Sequence, residues 1–257
     1  MHELLKKAVN IEGFIKPEDL AIHLGFLEEI KKLYGVQNTF EIGFYKGRSS
    51  IIPRAFGINH YAIDYTVPVD NEPGLTIFYE DSNFLKEDLS FLFGQVDFMI
   101  IDGDHSYQST KNDLQIAAKL LSQNGILVVD DTNFKLPGVN EALSDFLKDN
   151  KDFCIICKDD SETFLCRSRV WEVYYEFALL ELPSLMSKYL DDLNLKVLSG
   201  DSFEASSFIS HPYLIFEFLD FKGDMRVEYL GKKDYYDNPN TFVLLERKNL
   251  SYLNIKE

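Results

Sequence analysis

The chain has 257 residues, enough for one large domain or a domain with an appendage, and its 46% hydrophobic and 14% aromatic content excludes global disorder. A formal net charge of −16 repels phosphate backbones and anionic lipid, so neither nucleic acid nor a membrane surface is expected as a partner. No apolar run is long enough to span a bilayer, MHELLKKAVNIEGF lacks the apolar core and cleavage site of a signal peptide, and an odd three cysteines make no disulfide framework; a cytoplasmic location is expected.

In chain order, KPEDLAIHLGFLEEIKKLYG spaces Leu20, Leu24, Leu27 and Ile30 as a helix that Gly35 stops. Short apolar runs follow at TFEIGF (39–44), HYAIDY (60–65), LTIFYE (75–80), VDFMIID (96–102) and GILVVDD (125–131), each ending in polar or glycine residues, as strands covered on both faces do. Between the last two, STKNDLQIAAKLLSQNG carries Leu114, Ala117, Ala118 and Leu121 on one stripe. This alternation predicts right-handed crossovers and a mostly parallel, doubly wound α/β sheet.

PGVNEALSDFLKDN reads as another helix, and FCIICKDDSETFLCRS as a terminal antiparallel hairpin turning at Asp159 to Ser161. Cys154 and Cys157 formally make C-x-x-C, but within a buried strand positions three apart face opposite sides, so both are read as packing residues. From about 169 the rhythm changes. Helices interrupted near Pro183, a hairpin turning at Lys222 to Asp224 and a last strand, TFVLLERK, form a C-terminal α+β appendage. Trp171, Tyr174, Tyr175 and Phe177 are read there as core or a homo-oligomer contact ahead of an acceptor-pocket lining. The expected division is 1–35 helical, 36–168 the ligand-binding domain, and 169–257 the appendage.

Two groups of residues carry chemistry. FEIGFYKGRSS puts Glu41 near a strand end, Gly43 after it and Gly47 where a helix begins, a turn that lets a ligand lie against backbone N–H groups. The next two strands end in Asp64, placed for ribose hydroxyls, and in Asp81 and Ser82, placed on the adenine side. The set points to a nucleoside-bearing ligand at the switch point of the sheet. The G-x-x-x-G spacing speaks against the dinucleotide G-x-G-x-x-G, and so against an NAD-dependent oxidoreductase.

The second group is Asp102, Asp130 and Asp131, at the tips of strands expected to be neighbours about 4.8 Å apart. Carboxylates converging there repel unless neutralised, and Mg²⁺ or another divalent cation is the economical solution. The competing reading gives Asp102 to the cofactor and leaves Asp130 and Asp131 capping a loop. His105, three residues after Asp102, is placed to take a proton from a hydroxyl; Asp104 is the rival base or the residue that orients it.

EIGFYKGRS, AID, EDS, FMIIDGDHSY and GILVVDD together resemble the class I S-adenosylmethionine-dependent methyltransferases, nearest to the macrocin-type, small-molecule O-methyltransferase branch. The resemblance covers about 36–168. It implies a Rossmann-like sheet ending in an antiparallel strand and S-adenosyl-L-methionine as cofactor. Glu41, Gly43, Tyr45 and Ser49 would surround its methionine part, Asp64 its ribose and Ser82 its adenine. It further implies metal at Asp102, Asp130 and Asp131, a base at His105 or Asp104, and a hydroxylated small molecule or sugar as acceptor. A non-catalytic, cofactor-binding scaffold is the alternative. Pro53 departs from the pattern and is expected to shorten or kink the first helix.

Overall fold

A computed structural model describes residues 2–13, 15–65, 72–132, 137–158, 161–186, 188–189, 214–219 and 225–230. The five strands expected between 39 and 131 are all present: β1 (Asn38–Ile42), β2 (Asn59–Ile63), β3 (Leu75–Phe78), β4 (Val96–Ile101) and β5 (Leu121–Val129). They pair in parallel, and β6 (Phe153–Lys158) and β7 (Thr163–Arg167) close the sheet antiparallel. A hairpin of β8 (Leu214–Leu219) and β9 (Met225–Leu230) joins its edge through the pair Lys158 and Glu217, giving the order β3-β2-β1-β4-β5-β7-β6-β8-β9. The hairpin turn expected at 222–224 and the strand expected at 241–248 lie outside the described residues.

Strand alternation sorts the core into two layers. Phe98, Ile100, Ile126 and Val128 face α1 (His2–Val9), α2 (Pro17–Leu33) and α6 (Trp171–Leu180). Phe40, Met99, Ile101, Leu127 and Val129 face α4 (Tyr107–Leu120) and α5 (Pro137–Asp149). Burying each such side chain is worth about 1.5–3 kcal/mol, so both layers are strongly held. Phe26 of α2 stacks on Phe164 with centroids 5.2 Å apart and packs on Phe177 of α6 at 5.6 Å. Trp171, Tyr174, Tyr175 and Phe177 are all buried here, so the aromatic stripe is core.

Three local departures from the expected pattern have physical causes. The helix after the glycine loop, α3 (Ile51–Ala55), has only five residues: Pro53 is tolerated in its first turn and Gly57, at φ 72°, follows its end. β5 begins at Leu121, ahead of Gly125, because a register shift in β4 pairs Val96 with Leu121. A second shift between Ile155 and Cys157 turns Cys157 onto the layer that Cys154 also touches; neither is in a disulfide. Among the described residues no helix is long and apolar enough to cross a membrane.

Candidate active site

Because β1 to β5 are parallel, their carboxyl ends share one edge of the sheet, and the order reverses between β1 and β4. A crevice opens there, as sheet topology requires. Its cavity of about 880 Å³ is large enough for a nucleoside and an acceptor together.

The floor is built from backbone. Gly43 has φ 93°, and a Cβ there would collide with the carbonyl of Asp102, so only glycine lets the tips of β1 and β4 close up. The Gly43 N–H donates to the Ile63 carbonyl at 3.0 Å, and the Asp102 N–H to Ile42 at 2.8 Å. Tyr45, at φ 47°, donates its N–H to Oδ2 of Asp64 at 2.6 Å, clasping the loop to the tip of β2. The N-terminal segment straps the same loop. The Tyr45 hydroxyl donates to Glu12 at 2.8 Å, Lys46 pairs with Glu12, and Arg48 donates to the carbonyls of Ile11 and Ile15 at 2.7 Å each.

Gly43, Tyr45, Asp64, Asp81, Ser82 and Asp102 all line the cavity. Glu41, Gly47 and Ser49 do not. The Ser49 hydroxyl donates to both oxygens of the buried Glu41 at 2.6 and 2.5 Å, and Nε2 of His60 lies 3.2 Å from Oε2. Thr39 completes the set with its Oγ1 2.9 Å from Nδ1 of His60. Gly47 is a turn residue at φ 74°, covered by the Phe44 ring. On the far wall Asp81 caps a short 3-10 turn (Ser82–Phe84), accepting from the N–H of Asn83 at 2.8 Å.

At the tips of β4 and β5 the carboxylates converge. Nε2 of His105 lies 2.9 Å from Oδ2 of Asp131 and 3.8 Å from Oδ1 of Asp102. One ligand atom from each of Asp102, His105 and Asp131 falls within 4.8 Å of the other two, a spacing that fits one divalent cation. Asp130 also lines the cavity but lies outside that group, and its Oδ1 accepts the N–H of Asp131 at 2.7 Å. Asp131 itself is held at φ 55°, a left-handed conformation rare outside glycine, asparagine and aspartate.

Burial, then the charge of neighbouring Glu41 and Asp131, pushes the Asp102 carboxyl up to about 6 despite the His105 ring. Burial, then Asp102, pushes Asp130 up to about 7. His105 is raised chiefly by its bond to Asp102. Such acids bind protons more readily than ordinary carboxylates, and a nearby cation would favour their charged forms. Asp104 is different. The Ser106 hydroxyl, and then its N–H donated to Oδ1 at 2.8 Å, hold the Asp104 carboxyl below the usual range, so it braces the loop and leaves His105 to Asp131.

A family model described as a methyltransferase domain matches residues 40–132, the stretch that supplies β1 to β5 and nearly the whole cleft. Over that stretch the chain is similar to a methyltransferase domain. No curated protein sequence matches it. Among solved structures, the O-methyltransferase NovP has 15% identity and a TM-score of 0.51, covering 66% of this chain and 89% of its own, a likeness of fold. More distant in shape are CalS11, a TDP-rhamnose 3'-O-methyltransferase (16% identity, TM-score 0.44, 65% and 91% covered), and MycE of the mycinamycin pathway, solved with Mg and SAH (18%, 0.47, 65% and 54%).

The cleft has further walls that the sequence did not announce. Lys16, Asp19 and Ser161 line it, Lys16 Nζ reaching the Ser161 hydroxyl at 3.4 Å. Below them the buried His23 ring meets both oxygens of Glu162 at 2.9 Å. Pro17 at the first turn of α2 is the one sequence signal that marks Lys16 as a helix-entry residue.

Proposed function

We propose that the protein transfers the methyl group of S-adenosylmethionine to a hydroxyl oxygen of a small molecule or sugar, with a divalent cation at the tips of β4 and β5. The observation that carries this reading is the convergence of Asp102, His105 and Asp131 within one ion's reach, on the edge of the cavity that Gly43 floors. The cofactor-binding unit is taken as 36–168, flanked by helices from both ends of the chain.

In this reading Asp64 receives the ribose hydroxyls, Asp81 and Ser82 flank the adenine, and the backbone of Gly43 and Tyr45 faces the methionine part. Glu41 and Ser49 act from beneath, fixing the end of β1 and the loop. Asp102 and Asp131 would hold the cation, with Asp130 beside them. Bound there, Mg²⁺ would lower the pKa of the acceptor hydroxyl. With its Nε2–H given to Asp131, a contact that fixes the ring, His105 would take the hydroxyl proton at Nδ1. Asp104 keeps the loop in shape through Ser106. When bound, S-adenosylmethionine would supply the methyl group, and the walls would align the acceptor oxygen in line with it.

The test is calorimetry of S-adenosylmethionine with and without Mg²⁺, followed by methylation of a panel of hydroxylated acceptors. Cofactor binding and a chelator-sensitive O-methyl product are expected. Binding of NAD in place of S-adenosylmethionine overturns the reading, and unchanged turnover in chelator removes the metal from it.

A further inference from the structure

The chain leaving β5 is fastened on alternate sides. β5 pairs with β7 as far as Val129 and Thr163. The Asp130 N–H then turns the other way and donates to the Ile101 carbonyl of β4 at 2.9 Å, and the Thr132 N–H swings back to the carbonyl of Ser161, just ahead of β7, at 2.7 Å. Between these two anchors Asp131 takes φ 55°, which a residue other than glycine keeps only where its surroundings over-determine it. Thr132 supplies much of that determination. Its side chain is buried, its hydroxyl donates to the same Ser161 carbonyl at 3.1 Å, and Oγ1 of Thr163 lies 2.7 Å from its own. Lys158 Nζ donates to the Thr132 carbonyl at 2.5 Å. The N–H, hydroxyl and carbonyl of one residue are thus all bound to the β6–β7 hairpin, one position past a carboxylate of the candidate cation site.

We propose that Thr132 is a positioning residue for the cation: clamped to the hairpin, it holds Asp131 in the left-handed turn that sets Oδ2 2.9 Å from Nε2 of His105 and within an ion's reach of Asp102. An aspartate released from that turn falls back to the extended or right-handed region, and its Cα–Cβ bond points elsewhere. Mg²⁺ tolerates little such error, because it demands near-ideal octahedral geometry. Bonds that orient a metal ligand without touching the metal ordinarily change metal affinity by about 10–100-fold. The inference rests on the cation reading proposed above.

Mn²⁺ titration followed by electron paramagnetic resonance reads the site without any acceptor. Thr132→Val keeps the shape of the side chain and removes the hydroxyl. Its Mn²⁺ affinity is expected to fall about tenfold or more, with the circular dichroism of the folded protein unchanged. Thr132→Ser restores the hydroxyl and is expected to stay within about threefold of the wild type. A merely structural role would lower the unfolding midpoint of Thr132→Val and leave its Mn²⁺ affinity intact, and that result overturns the inference. If Thr132→Val does not fold, Lys158→Met decides the matter by removing the bond to the Thr132 carbonyl. Losing a positive charge would by itself favour a cation, so Mn²⁺ binding weakened about threefold or more reports the clamp, and unweakened binding overturns it. A wild-type protein that binds no Mn²⁺ overturns the cation reading and this inference with it.

Discussion

Glu41 on β1 and Asp102 just past β4 stand on neighbouring strands, yet the fold treats them in opposite ways. Glu41 is buried and satisfied: Ser49 and His60 meet its oxygens, and Thr39 holds His60 in turn. Asp102 is partly exposed and crowded by like charge, with one imidazole shared between it and Asp131. A carboxylate whose partners arrive with the chain serves architecture. One whose neighbours are other carboxylates is left wanting a ligand, and that is where chemistry is affordable.

The sharpest way to break this contrast is at its reactive end. His105→Gln is expected to lower turnover by about 10²–10⁴-fold while the affinity for S-adenosylmethionine stays within a few-fold, read by single-turnover kinetics and calorimetry. At the architectural end, Glu41→Ala strands the His60 and Ser49 donors and is expected to cost about 3 kcal/mol in urea unfolding. A loss of turnover with unchanged stability would instead put Glu41 in contact with the ligand.

Asp113, fully buried in α4 with neither carboxylate oxygen hydrogen-bonded among the described residues, tests whether an unsatisfied acid belongs with the reactive set. Burial raises its carboxyl from 3.8 to about 6, so the folded state favours the protonated form. The penalty is absent below the unfolded value, grows as pH rises and is complete above about 6. Asp113→Asn is therefore expected to stabilise the protein by up to about 3 kcal/mol at pH 7.5 and by nothing at pH 4, measured as unfolding free energy at both. Smallest is Glu12→Gln. This exposed partner of Lys46 and Tyr45 is expected to contribute less than about 1 kcal/mol, and high salt should erase the difference in melting temperature.

Much of the frame was legible because strand and helix periods are local properties. β1 to β7 and α4 fall where apolar runs place them, and the cleft at the β1/β4 reversal follows from their order. The acids at the strand ends were legible for the same reason: a residue that closes a parallel strand must emerge at the shared edge. Direction was harder. Glu41 and Ser49 were expected around the ligand, but their side chains turn inward to each other, and Glu41 also meets His60, a partner on another strand. Asp130 was expected as a third metal ligand with Asp102 and Asp131, and it lines the same cavity but lies outside the ligand group. The left-handed turn at Asp131 aims the second carboxylate at His105 instead, and no spacing rule encodes such a turn. His23 with Glu162, and Lys16 with Ser161, meet across more than a hundred residues of chain, where sequence reasoning has no reach.

The crowding at Gly43 has a consequence for how such a cleft changes over time. With main chain pressed on main chain where β1 meets β4, that part of the floor carries no rotamers to shuffle and no methyl to trim. Altered preference has to be carved from the walls, at Lys16, Asp19, Ser82 or Ser161, while the bottom stays as hard as a bench on which different work is clamped.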